Sequence, residues 1–190
     1  MYQKYQTQIL VLGSRESGEN DRVFALYTEG FGLVRARASA VRMERSKLRY
    51  ALQNFSRANL ALVKGKRGWR VAGSIAIELA NGRREGTRAF ARIAELTLRL
   101  VPGEEKNDYL FAALSEAHSS LIRADTGIVA TIELICVARI LFALGYLSVE
   151  ALQTALFRHT AYGDEHLREA EALHDKLLSS INRAIAETQL

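Results

Sequence analysis

The chain is poor in cysteine and proline, with one of each among its 190 residues, and it lacks a long apolar run free of charge. One cysteine excludes an intrachain disulfide and favours a reducing compartment. The most apolar stretch spans residues 128–144 and contains Glu133 and Arg139. Because charges at membrane depth are costly, we expect a buried core helix there and no membrane span. The polar N-terminal residues also give no sign of a secretory signal.

Residues that catalysis or metal binding would need are few and scattered. The single cysteine, Cys136, lies between Ile135 and Val137, which is typical of an inert buried thiol. His166 and Glu169 can share a helix face, but no second histidine lies four residues from His166. We therefore predict no enzyme activity, no structural metal, no cofactor and no small-molecule substrate.

Acidic residues are nearly absent between Arg35 and Arg70, where Glu44 stands against eleven basic residues. Side chains of one sign repel one another unless a polyanion neutralises them, and phosphate backbones are the commonest such partner. A solvated basic face that only aids solubility is the simpler alternative. Across the chain, residues 1–92 carry a net charge of +11 and residues 93–190 a net charge of −6. This asymmetry predicts two regions with different partners.

Apolar and polar residues alternate through the first eighty positions, with glycines between the runs, which predicts β-strands. A polar, basic stretch from residue 39 to 57 is expected to be a functional loop or to carry a short helix. Five strands with one long excursion predict a small closed barrel of the oligonucleotide-binding (OB) type, with an SH3-like barrel as the alternative. The predicted strands are residues 7–12, 22–27, 31–38, 58–63 and 69–77.

After Asn81 the apolar residues recur at spacings of three and four, which is typical of helices. We predict an OB-fold domain over residues 1–82 followed by an all-helical domain over residues 83–190, and therefore an α+β fold. Caps and breakers mark the ends of five predicted helices. They are residues 90–101 before Pro102, a helix capped by Asn107, one from Thr126 to Gly145, one over residues 148–158, and one capped by Asp164 whose apolar stripe runs Leu167, Ala170, Leu173, Leu177, Ile181 and Ile185.

Several short segments follow one another in an order that resembles the RecO family of recombination mediators. They are residues 18–22 (GENDR), similar to the family's G-E-x-D-R element, 28–32 (TEGFG), 51–56 (ALQNFS) and the hairpin turn 64–68 (KGKRG). In the helical half the likeness reduces to residues 144–146 (LGY). RecO proteins commonly carry paired zinc-binding cysteines after that element, and here they are missing. The chain therefore resembles a short form of the family that lacks the zinc-binding cysteines.

The resemblance implies an OB-fold domain that binds single- and double-stranded DNA, and a helical domain that contacts other proteins. It further implies a non-catalytic role in the bacterial cytoplasm, at the nucleoid. In that role the protein would anneal complementary strands. With a RecR-like partner, it would also load recombinase onto DNA coated by single-stranded-DNA-binding protein.

The expected contacts with DNA are basic side chains that track phosphates, together with aromatic rings on which bases stack. The stacking candidates are Tyr27, Phe31 and Trp69. Two alternatives stay open: an adaptor that mainly binds proteins through its helical half, and an RNA-binding OB-fold module. The DNA-binding candidates are Arg35, Arg37, Arg42, Arg45, Lys47, Arg49, Lys64, Lys66, Arg67 and Arg70.

Overall fold

The computed structural model describes residues 3–46, 48–79, 82–148 and 154–188. The chain forms two compact units. The barrel unit contains Met1–Asn81 together with Leu100–Lys106, and the helical unit contains Gly82–Arg99 and Asn107–Leu190. A single functional boundary at residue 82 remains a prediction, and the short segment Leu100–Lys106, called the strap below, groups with the barrel.

Five strands close the barrel in the order β1-β2-β3-β5-β4. Strand β1 pairs antiparallel with both β2 and β4, and a short parallel pairing of β3 with β5 completes the closure. This Greek-key order is that of the OB-fold and not that of an SH3-like barrel, so the predicted fold class is confirmed. The strands are β1 Lys4–Ser17, β2 Asp21–Thr28, β3 Gly32–Ala38, β4 Arg57–Gly65 and β5 Gly68–Glu78, and the helix between β3 and β4 is α1 Leu48–Ala51.

Alternation along the strands separates the barrel core from its outer face. In β3, Val34 and Ala36 are buried while Arg35 and Arg37 are exposed, as period-two geometry requires. The long excursion between β3 and β4 also contributes to the core, because its Val41, Ala51 and Leu52 pack with the inward-facing residues. The basic loop is therefore anchored to the barrel by its own apolar side chains.

The strap lies directly against the turn between β2 and β3. Gly32 has a φ of +65°, and a Cβ added there would overlap the carbonyl oxygen of Glu105. Only glycine accepts both the backbone conformation and the close approach. The Leu33 N–H also donates to the Gly103 carbonyl at 3.2 Å. These contacts hold the strap in place beside the barrel strands.

The helical unit is built from α2 Arg84–Leu100, α3 Asp108–Arg123, α4 Thr126–Ala143, α5 Asp164–Ala172 and α6 His174–Glu187. Asn107 caps α3 as predicted, since its side chain accepts from the Leu110 N–H at 2.9 Å. The predicted fifth helix is wrong in two respects, and the first is that it divides at Leu173 into α5 and α6. Gly163, not Asp164, takes the N-cap position of α5. Leu167 and Leu177 are buried on either side of the division, so the apolar stripe gave no sign of it.

The predicted helix over residues 148–158 lies largely outside the described residues, and residues 154–158 form a bend and turn. Helix α4 is long and apolar enough to cross a membrane by length and composition alone. Its two charges are both satisfied inside the helical unit. Glu133 accepts two bonds from the Arg92 guanidinium, at 2.6 and 2.5 Å. Arg139 is fully buried.

Arg139 fastens a loop onto α4. Its guanidinium donates to the carbonyls of Leu156, Thr160 and Ala161 at 3.0, 2.7 and 2.9 Å, and it lies over the ring of Tyr162. Each of the three guanidinium nitrogens thus donates to a backbone carbonyl, and such hydrogen bonds offset the cost of burying the charge.

Candidate nucleic-acid interface

The outer face of β3 and β5 gathers basic side chains from two distant parts of the sequence. The parallel register places Arg37 beside Arg70, and both are exposed while their neighbours Ala36 and Trp69 are buried. Arg35 lies two positions from Arg37 on the same face. Strand alternation and this short pairing therefore produce one basic surface.

A cleft of about 470 Å³ lies beside this surface. We call it the hairpin cleft, because the turn between β4 and β5 forms one of its walls. Lys66 and Arg67 are exposed at that turn. Neither side chain forms a hydrogen bond or ion pair within the part of the chain that the structure describes. Two exposed cations beside a polar cleft are suited to binding phosphate oxygens. The cleft is lined by Asp21, Arg37, Ser39, Gly65, Lys66, Arg67, Gly68, Trp69 and Arg70.

Asp21 holds Arg37 in place at the edge of the hairpin cleft. Its Oδ2 accepts from Nε and Nη2 of Arg37, both at 2.8 Å, and its Oδ1 accepts from the Ala40 N–H at 2.8 Å. The Ala40 N–H and then the Arg37 guanidinium hold the pKa of this carboxyl below its ordinary value. Arg37 is therefore a positioned cation whose charge is largely balanced, unlike Lys66 and Arg67.

A second cleft of about 380 Å³ lies under the loop between β3 and β4, and we call it the loop cleft. The Glu16 carboxylate lies 3.3 Å from Nη1 of Arg42 and 3.7 Å from Nη2 of Arg22. The positive charges of these two arginines of the cleft are therefore partly balanced. Arg22 was not among the sequence candidates, although it ends the GENDR segment. The cleft has a rim of Arg22, Arg42, Glu44 and Arg49 over a floor of Phe24, Val41 and Leu52.

Two other candidates, Arg45 and Lys47, belong to the same loop. Arg45 is exposed and forms no side-chain bond to another described residue. Lys47 lies outside the described residues. The structure thus brings Arg42 and Arg49 together at the loop cleft, and Arg35, Arg37, Lys66, Arg67 and Arg70 at the outer face.

Lys64 is held by an acid that sequence reasoning did not connect to it. Its Nζ lies 2.7 Å from Oε2 of Glu104 in the strap and 5.1 Å from the centroid of the Trp69 ring. The Lys64 ammonium is the main reason that the pKa of Glu104 lies below its ordinary value. Glu104 is 40 positions from Lys64 in the chain, so local sequence patterns carry no signal for the pair.

The stacking candidates lie mostly inside the barrel. Tyr27 is 1% exposed and Trp69 is 4% exposed. Phe31 is half-buried and packs against Trp69 with a centroid separation of 4.9 Å. These placements do not favour stacking of a base on Tyr27 or Trp69. A more exposed ring is that of Tyr50 in α1, which is 65% exposed beside Arg49 and was not chosen from the sequence.

Potential metal ligands do not come together in residues 3–46, 48–79, 82–148 and 154–188, where no group of three or more His, Cys, Asp or Glu side chains could hold an ion. Burial raises the pKa of the Cys136 thiol to about 12, which makes it a poor nucleophile and ligand. Whether the protein binds metal stays a prediction to be measured.

The barrel is the part of the chain that known proteins resemble most clearly. The family described as Recombination protein O N terminal matches residues 1–72. DNA repair protein RecO of Pelotomaculum thermopropionicum is 30% identical over 129 residues, covering 66% of this chain and 50% of that protein. Over residues 1–72 this chain belongs to the RecO family.

Two further relatives named DNA repair protein RecO match a shorter region. Those of Desulfitobacterium hafniense strain DCB-2 and Heliobacterium modesticaldum are 40% and 42% identical over 62 residues, in each case 33% of this chain and 23% of the relative. The chain spans about half the length of the first curated relative that it matches. Every DNA-binding candidate, from Arg35 to Arg70, lies within the region matched by the family.

The charge asymmetry is smaller between the structural units than between the two halves of the sequence. The barrel unit has 15 basic and 8 acidic residues, a net charge of +7, and the helical unit has 11 and 13, a net charge of −2. The difference arises because Arg83, Arg84, Arg88 and Arg92 belong to the helical unit, and the acidic strap belongs to the barrel. The net charge of each unit has the sign expected from the sequence halves, but its magnitude is smaller than +11 and −6.

Proposed function

We propose that this chain is a non-catalytic DNA-binding protein of recombinational DNA repair, and that the basic outer face of its OB-fold barrel binds single- and double-stranded DNA. The observation that carries the proposal is the grouping of Lys66 and Arg67 at the hairpin cleft with Arg35 on the same barrel. These exposed cations form no bond to a protein carboxylate in the described residues. Membership of a family whose relatives are named for DNA repair supports it.

The chemistry of the two clefts suits the backbone of a nucleic acid better than its bases. Arginine and lysine bind phosphates of any sequence and of one or two strands. The polar groups of the hairpin cleft are mostly cations, with Asp21 and Ser39 as the exceptions. Binding should therefore depend strongly on salt and weakly on sequence. Annealing is compatible with this, because neutralised strands repel one another less.

The helical unit is the proposed contact surface for a RecR-like protein and for single-stranded-DNA-binding protein. Its net charge of −2 makes it a weaker partner for phosphates than the barrel. With these partners the protein would help to load recombinase, in the bacterial cytoplasm at the nucleoid. The proposed division of labour uses a boundary near residue 82, with DNA on the barrel and proteins on the helices.

One observation favours a second candidate, an adaptor that mainly binds proteins and has weak affinity for DNA. Three of the expected DNA contacts, Arg37, Arg42 and Lys64, are paired with acids of the barrel unit. Such pairs reduce the charge that is available to phosphates. An OB-fold that prefers RNA is separated from both candidates by the same experiment.

The test is fluorescence anisotropy with labelled single-stranded DNA, duplex DNA and RNA of equal length, each across a salt series. We expect saturable binding to both forms of DNA, with the logarithm of affinity falling linearly as the logarithm of salt rises. Absence of saturable DNA binding at low salt would favour the adaptor. A clear preference for RNA would favour the RNA-binding module.

A further inference from the structure

The strap brings a carboxylate into the basic region of the barrel. Its position follows from the backbone contacts at Gly32 and Leu33. Next to these contacts, the Glu104 carboxylate accepts from Lys64 Nζ at 2.7 Å. Both side chains are about half exposed, at 43% for Glu104 and 54% for Lys64. The pair is thus accessible to a solute anion.

Lys64 occupies a position that a DNA phosphate would be expected to use. It lies on β4 just before the turn that carries Lys66 and Arg67. Its ammonium lies above the ring of Trp69, which lines the hairpin cleft. Lys64 does not itself line the cleft, but a phosphate that extends from the cleft across Trp69 reaches the Lys64 ammonium and competes there with Glu104 for the same donor group.

We propose that Glu104 is an internal competitor of DNA phosphate for Lys64, and that it limits the affinity of the barrel for DNA. The inference rests on the proposed function. A carboxylate and a phosphate oxygen accept the same kind of charge-assisted hydrogen bond from an ammonium group. DNA can use Lys64 only after the ion pair has opened, and the free carboxylate then repels the backbone. A protein that joins two strands must also release the product, and an internal anion shortens the time that DNA stays bound.

A double-mutant cycle tests this competition. Lys64→Gln and Glu104→Gln keep most of each side chain and remove its charge, and they are measured alone and together. Glu105→Gln is the matched control, since Glu105 is an exposed neighbour in the same strap and its loss changes the net charge equally. Circular dichroism establishes that each variant is folded before binding to oligothymidine is measured.

We expect Glu104→Gln to tighten binding by about two- to fivefold, the range that exposed ion pairs commonly give. The dependence on salt should steepen by about 0.7, the share of one phosphate contact on a single strand. Lys64→Gln should weaken binding only slightly in the wild-type background, where it removes a cation already paired with Glu104, and more strongly in the Glu104→Gln background, where it should abolish the gain. Glu105→Gln should change affinity much less, and by the same factor whether or not Lys64 is present.

Two results would overturn the inference in different ways. If the wild type binds DNA and Lys64→Gln weakens binding equally in both backgrounds, Glu104 is not a competitor and the proposed function stands. If the wild type and Glu104→Gln both fail to bind DNA, the proposed function is refuted, and this inference is refuted with it.

Discussion

Replacing Lys66 and Arg67 together by alanine should weaken DNA binding by an amount that depends on salt. Both side chains are exposed at the hairpin turn and form no ion pair in the described part of the chain, so their whole charge is available to phosphates. Each contact with single-stranded DNA contributes about 0.7 to the slope of log affinity against log salt. Two lost contacts should flatten that slope by about 1.4. At about 0.1 M salt this corresponds to a loss of roughly 25-fold, which should vanish toward about 1 M.

The assay is fluorescence anisotropy of labelled oligothymidine of about 30 nucleotides, titrated at five or so salt concentrations. A matched variant replaces Arg168 and Arg183 by alanine. These are two exposed arginines on α5 and α6, so the variant removes as much charge from the helical unit as the hairpin variant removes from the barrel. We expect its slope to match that of the wild type. An unchanged slope in the hairpin variant, or an equal change in both variants, would refute the placement of DNA at the hairpin cleft.

Three further predictions concern stability and composition. Arg139→Met should lower the free energy of unfolding by about 2–4 kcal/mol, because three carbonyls lose their donor. Urea denaturation measures this loss against the exposed control Arg183→Met. Equal free energies of unfolding for the two variants would contradict the prediction. Asp21 has a lowered pKa in the folded state, so its stabilising contribution is present above its unfolded pKa and is lost as the pH falls through the folded value. Asp21→Asn should therefore reduce the loss of stability as the pH falls from about 5 to about 2, and an unchanged acid limb of the stability curve would count against the Arg37 and Ala40 contacts. Protein purified without added metal should contain no stoichiometric zinc by mass spectrometry, and one zinc per chain would show that a site had been missed.

The barrel could be predicted because alternation reports directly which side chains face inward. All five strands were located, but β1 was predicted to end at residue 12 and continues to Ser17. Residues 13–17 pair with Ala25–Asp21 of β2 beyond a bulge. Strand pairing holds this polar segment in place, and polar segments carry no alternating signal. The division of the last helix at Leu173 was missed for a related reason, since both parts bury the same apolar stripe.

The basic residues of the candidate site could be predicted from the sequence, but the acids that pair with some of them could not. Basic residues that are close in sequence were correctly expected on the barrel, and Arg35 and Arg37 share a face as alternation requires. The acids that balance Arg42 and Lys64 come from Glu16 and Glu104, which are distant in the chain. Only the three-dimensional fold brings them to the cations. The same reasoning explains the aromatic candidates, because a small barrel fills its interior with the large residues of its strands.

The central claim is that the barrel, and not the helical unit, carries DNA. Hydrogen–deuterium exchange of the whole chain with and without single-stranded DNA tests it most directly. We predict that DNA slows exchange in peptides covering Gly32–Ala38 and Gly65–Arg70, and leaves α3, α5 and α6 unchanged. Protection confined to those helices, with the barrel peptides unaffected, would contradict the account.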